Sequence, residues 1–76
     1  MNVERLITMA NDIANFFAAE PDRQVGIDGV ANHLRKFWEP RMRKQIIAHV
    51  SAHGPDGLSE IAQAAIAKLA QAEQAA

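Results

Sequence analysis

The side chains of this chain that could do chemistry fall into two groups. His49 and His53 stand four residues apart, the spacing that sets two side chains one above the other on a helix. Together with His33 they form a candidate metal-ligand set. A zinc site needs at least three protein ligands and supporting outer hydrogen bonds, and the sequence spaces only two. The better-supported reading makes His49 and His53 ordinary helix histidines close to a C-terminus, where the partial negative charge of the helix end suits them. Ser51 lies between them, but no glycine-flanked elbow, orienting carboxylate or oxyanion-hole loop accompanies it. The chain has no cysteine. That excludes a thiolate nucleophile, a thiolate metal site and any disulfide.

The second group is a corner. Phe37 and the only tryptophan, Trp38, are followed by Pro40, and Arg35, Lys36, Arg41, Arg43 and Lys44 surround them against the single acid Glu39. Proline fixes φ and pushes its predecessor out of the α region, so the helix carrying His33 and Phe37 must end near Trp38. Proline also suits the first position of a helix, so Arg41, Met42 and Arg43 open the next one. An aromatic ring flanked by guanidinium groups has the composition of an interface hot spot. The candidate partner-binding residues are His33, Arg35, Trp38, Arg41 and Arg43. Three readings compete: phosphate or nucleic-acid contact; protein docking against an acidic partner; and a core role for Trp38 and Phe37 with the charges merely solvated.

The elements that position these groups are helices. Asn2 is a suitable N-cap, with Glu4 in the first turn, and Leu6, Met9, Ala10, Ile13, Phe16 and Phe17 recur at spacings of three and four over residues 3–19. Pro21 and Asp22 break the chain. A second helix over residues 24–37 carries Ile27, Val30, Ala31, Leu34 and Phe37, with Trp38 at its end. Gly26 and Gly29 weaken it by up to about 1 kcal/mol each; they mark either a close helix crossing or a frayed first turn. The third helix runs from Pro40 to about Ala52 with Met42, Ile46, Ile47 and Val50 on one face, and Gly54 stops it. After the Pro55-Asp56-Gly57 turn, Ser59 caps a last helix whose stripe is Ile61, Ala65, Ile66 and Leu69. Residues 70–76 are rich in alanine and glutamine and are expected to fray. The sequence therefore predicts one all-α domain over residues 1–76, a small bundle of about four short helices.

Composition bounds the function. A chain of 76 residues buries only about 60% of its unfolded surface, so its stability is thin and self-association of the isolated chain is left open. The formal net charge is −1, far from the excess of a dedicated nucleic-acid binder. No apolar run is long enough to span a bilayer and no signal peptide opens the sequence; the cytoplasm is the default location. No nucleotide-binding or paired-carboxylate motif appears, and four short helices leave little room for an enclosed pocket. An independent enzyme is not expected.

One pattern is specific. Arg5-Leu6-Ile7-Thr8-Met9-Ala10-Asn11-Asp12-Ile13-Ala14-Asn15-Phe16-Phe17, then Gly29-Val30-Ala31-Asn32-His33-Leu34, then Phe37-Trp38-Glu39-Pro40-Arg41-Met42-Arg43 resembles the delta subunit of the soluble bacterial NAD-dependent formate dehydrogenases. The likeness covers residues 4–58, departs after Ser59, and carries Asn32 and Glu39 where such proteins often have aspartate. It implies a non-catalytic accessory subunit of a cytoplasmic molybdenum or tungsten enzyme, supporting its assembly or stability by docking on a larger subunit, the alpha subunit foremost. It implies too that bis-molybdopterin guanine dinucleotide, iron-sulfur clusters, FMN and NAD belong to other subunits. No catalytic residue and no cofactor transfers to this chain, which is in keeping with its lack of cysteine. The rival is a small helical nucleic-acid-binding or regulatory module using the basic residues 35–44.

Overall fold

The computed structural model describes residues 2–75, with side chains up to Glu73. Four helices make up the fold: α1 (Val3–Phe17), α2 (Arg23–Phe37), α3 (Pro40–His53) and α4 (Glu60–Ala75). Each start has a local cause. The Asn2 carboxamide accepts from the Glu4 amide at 2.7 Å, and the Asp22 carboxylate accepts from the Gln24 amide at 2.9 Å. Pro40 opens α3 behind an uncapping Glu39. The Ser59 hydroxyl accepts from the Ala62 amide at 3.3 Å. These bonds satisfy amides that a helix leaves without intrahelical partners.

The ends are equally local. Gly54 closes α3 and Gly57 sits in the following turn, both at φ 88°, a conformation natural only to glycine. The Leu58 amide closes that turn on the Pro55 carbonyl at 3.1 Å. Helix α1 stops at Phe17 rather than 19, because α2 crosses there. A Cβ on Gly26 would meet the Phe17 carbonyl oxygen at 3.0 Å, and one on Gly29 would meet the Phe17 ring at 2.5 Å. The two glycines therefore mark a close helix crossing, not a frayed turn.

Helix α2 is the centre of the bundle, packed against α4 and α1, while α3 lies against α1 and α4. The core comprises Leu6, Ala10, Ile27, Val30, Leu34, Trp38, Ile46, Ile66 and Leu69, completed by Leu58 from the α3–α4 loop and by small residues such as Ala14, Ala62 and Ala65. A side chain of α1 ties that loop to the bundle. The Asn11 amide group on α1 donates to the Gly57 carbonyl at 2.7 Å, and its oxygen accepts from the Ser59 amide at 2.9 Å.

Helix α4 runs on past Leu69 to Ala75, and Glu73 in its last turns pairs with Arg43; residue 76 of the run expected to fray lies outside the described residues. One expectation is corrected. Phe16 and Phe37, assigned above to apolar stripes facing the core, are 77% and 70% exposed. Adjacent residues on a helix point about 100° apart, and the core takes only one aromatic of each pair. Among the described residues no helix is long and apolar enough to cross a membrane.

Candidate functional site

The five sequence-predicted residues all lie at or next to the α2–α3 corner, but they do different work. Trp38 terminates α2 in an extended conformation, its amide donating to the Leu34 carbonyl, and the residue is only 5% exposed. It belongs to the core and offers no ring to a partner. Arg43, one turn into α3, turns back over the end of α2. Its Nε donates to Glu73 at 2.7 Å, and its NH1 donates to the Trp38 carbonyl at 2.6 Å and the Arg35 carbonyl at 3.3 Å. The guanidinium thus satisfies carbonyls that the end of α2 leaves open and links α2, α3 and α4. It is a structural clamp.

Arg35 and Arg41 remain on the surface. With Lys36 and Lys44 they form a group of four cations without ion pairs among the described residues. The described ion pairs engage Arg23 with Glu60, Arg43 with Glu73, and Lys68 with Asp28. Arg35 and Lys44 line one open hollow with Pro40, Arg43, Ala72 and Glu73. The Asp28 carboxyl is held below the ordinary aspartate value, first by its hydrogen bond from Lys68 and then by that from Gln24, against a small opposing effect of desolvation.

His33 is half-buried, and its ring centroid lies 4.7 Å from that of Phe37. On its other side Ile13, Phe16, Phe17 and Asp12 share a shallow, strongly apolar hollow of ≈ 380 Å³ with it. Phe16 and Phe17 meet edge to face at 5.2 Å. Sequence reading singled out His33 but missed Phe16 and Phe37 as surface groups. The usable signal was the doublets Phe16-Phe17 and Phe37-Trp38, since neighbouring helical residues cannot both face one core.

The other histidines are placed on α3, their rings 5.1 Å apart. Among the described residues no three of His, Cys, Asp and Glu come together in a way that could hold a metal ion. Ser51 is exposed on the same helix.

Fold and surface together describe a small all-α module whose distinctive features are an aromatic strip and a basic corner. Residues 5–66 match the family model described as the NADH-dependent formate dehydrogenase delta subunit, FdsD, and the chain belongs to that family. The match extends beyond the motifs at its N-terminal side, through the loop held by Asn11 and into α4 as far as the buried Ile66. No curated protein and no solved structure matches the chain.

Proposed function

We propose that the chain is a non-catalytic accessory subunit that docks on a larger subunit of a cytoplasmic NAD-dependent formate dehydrogenase, the alpha subunit foremost, and supports the assembly or stability of the complex. Family membership over residues 5–66 carries this reading. The donor set supports it: a chain without cysteine cannot hold an iron-sulfur cluster through thiolates. The molybdenum or tungsten pterin cofactor, the iron-sulfur clusters, FMN and the NAD site are then the business of other subunits. Binding to the assembled enzyme stabilises that state by mass action.

The test is formate oxidation normalised to molybdenum or tungsten content, with and without this chain. Omitting the chain should lower the yield or the metal-loaded fraction of the enzyme while turnover per loaded metal changes much less. A collapse of activity per metal at normal loading and subunit stoichiometry would give the chain a direct part in turnover and overturn the assembly reading.

A further inference from the structure

We infer that the outer edge of the α1–α2 pair is the docking surface, and that its occupant is an amphipathic helix of a larger subunit with carboxylates flanking its apolar face; the inference rests on the accessory-subunit reading above. The surface is continuous. Phe16 touches Phe17 edge to face, the Phe17 ring lies over Gly29, Phe17 and His33 line the same hollow with Ile13, and the His33 ring lies tilted against that of Phe37. The strip therefore follows the seam between two helices, the shape into which a partner helix lays its apolar face.

The exposed rings do nothing for the core. Phe16 and Phe37 stand outside the buried cluster and outside the hydrophobics packed against it, and aromatic rings left in water on so small a domain mark a contact site. Gly29 serves the same surface: only a residue without Cβ lets the Phe17 ring lie flat enough to floor the hollow. Charge selects the occupant. Lys36 precedes Phe37 and Arg41 stands in the first turn of the helix just beyond it; among the described residues neither makes an ion pair, whereas the hollow contributes one carboxylate, Asp12. A partner bearing carboxylates beside its apolar face supplies the missing counter-charges.

A second copy fits less well. A two-fold interface presents the same patch from both sides, so it adds no carboxylate beyond those the strip already has, of which the hollow holds Asp12. A larger subunit can extend beyond the strip onto the basic corner and bring carboxylates to its cations.

The experiment measures binding of the purified chain to formate dehydrogenase prepared without it. The strip variant Phe16→Ser with Phe37→Ser should weaken binding by roughly tenfold or more per ring, the range of interface anchors. Lys36→Glu with Arg41→Glu should also weaken it, and wild-type affinity should fall as salt rises. Ser51→Ala, on another face, should bind as wild type. Because a variant can fail for reasons of folding, hydrogen exchange of the wild-type chain in the complex provides a second readout: protection should concentrate on the second half of α1 and the second half of α2. Full binding by the strip variant, or protection on α3 and α4 alone, overturns this inference and leaves the accessory reading standing. Failure of the wild-type chain to bind the enzyme overturns the accessory reading itself. A wild-type dimer that the strip variant dissolves, or an oligonucleotide complex that it abolishes, assigns the surface to another occupant and overturns the inference as well.

Discussion

Arg43→Ala should unfold this protein more readily than the loss of a surface charge would suggest. The arginine side chain is 17% exposed and its partner Glu73 is 29% exposed, so the pair is only partly screened by water. The substitution removes the bond to Glu73 at 2.7 Å, the bond to the Trp38 carbonyl at 2.6 Å and the weaker contact with the Arg35 carbonyl at 3.3 Å. Hydrogen bonds involving a charged group contribute about 1.5–3 kcal/mol each, and an orphaned partner adds its own desolvation cost. The three are not additive, because one guanidinium makes them all. Partial exposure lowers the total further. A loss of about 2–3 kcal/mol results, against the ~5 kcal/mol at the lower end of domain stability.

For a domain of this size that corresponds to a fall in Tm of roughly 10–20 °C, followed by far-ultraviolet circular dichroism and by fluorescence of the single, buried Trp38. Arg43→Lys should recover only part of the loss, since an ammonium on a flexible stem cannot reach the carboxylate and both carbonyls in the geometry of the planar fork. Arg41→Ala, at an exposed cation with no ion pair among the described residues, should stay within about 0.5 kcal/mol of wild type. In a double-mutant cycle, Glu73→Ala should cost little once Arg43 is gone. If Arg43→Ala melted with wild type, or if Arg41→Ala cost as much, the clamp would be wrong.

Three further outcomes follow from the same geometry. Trp38→Ala empties a core position and should cost about 3–5 kcal/mol, leaving a chain largely without helical dichroism at ambient temperature. Asn11→Ala frees the Gly57 carbonyl and the Ser59 amide from their shared partner, and should cost about 1–3 kcal/mol and speed hydrogen exchange at Ser59 and through the first turn of α4. Asp28 has a folded pKa below its unfolded one; its stabilising contribution is therefore present above about pH 4 and is lost as pH falls through the lower folded value. Asp28→Asn should accordingly melt below wild type at neutral pH, with the gap closing in more acid solution, and equal Tm values at neutral pH would remove the pair with Lys68 from the account.

How much was legible depended on sequence distance. Helix starts and stops are decided by neighbours, so Asn2, Pro40, Gly54 and Ser59 could be read directly, and the four helices lie within a few residues of where periodicity placed them. Contacts across the bundle could not be read in this way. Arg43 and Glu73 are thirty residues apart. The alanine-rich run 70–76 gives no hint of burial except that Glu73 is its one charged residue. Asn11 and Gly57 are separated by 46 residues, and nothing in the helical pattern of α1 announces that a polar residue beside the apolar stripe will hold a distant loop. The glycines were ambiguous for the same reason: a close crossing and a frayed turn look alike until the second helix is in place.

The two aromatic doublets show how a physical rule connects the core with the surface. On a helix, consecutive side chains diverge by about 100°, so a doublet on the edge of an apolar stripe sends one ring inward and leaves the other outside. At the corner Trp38 goes in and Phe37 stays out; at the end of α1 Phe17 packs against α2 and Phe16 stays out. Because α1 and α2 pack side by side, both outward rings border one seam, and Phe17 and His33 bridge the space between them. The basic corner changes meaning accordingly. Its arginines are not guards around an exposed indole, for the indole is buried and Arg43 is committed to holding it there. Of the remaining cations Lys36 and Arg41 stand close to Phe37 in the chain, so the docking surface inferred above moves by one residue, from Trp38 to Phe37, and from the corner alone to the whole length of the α1–α2 edge.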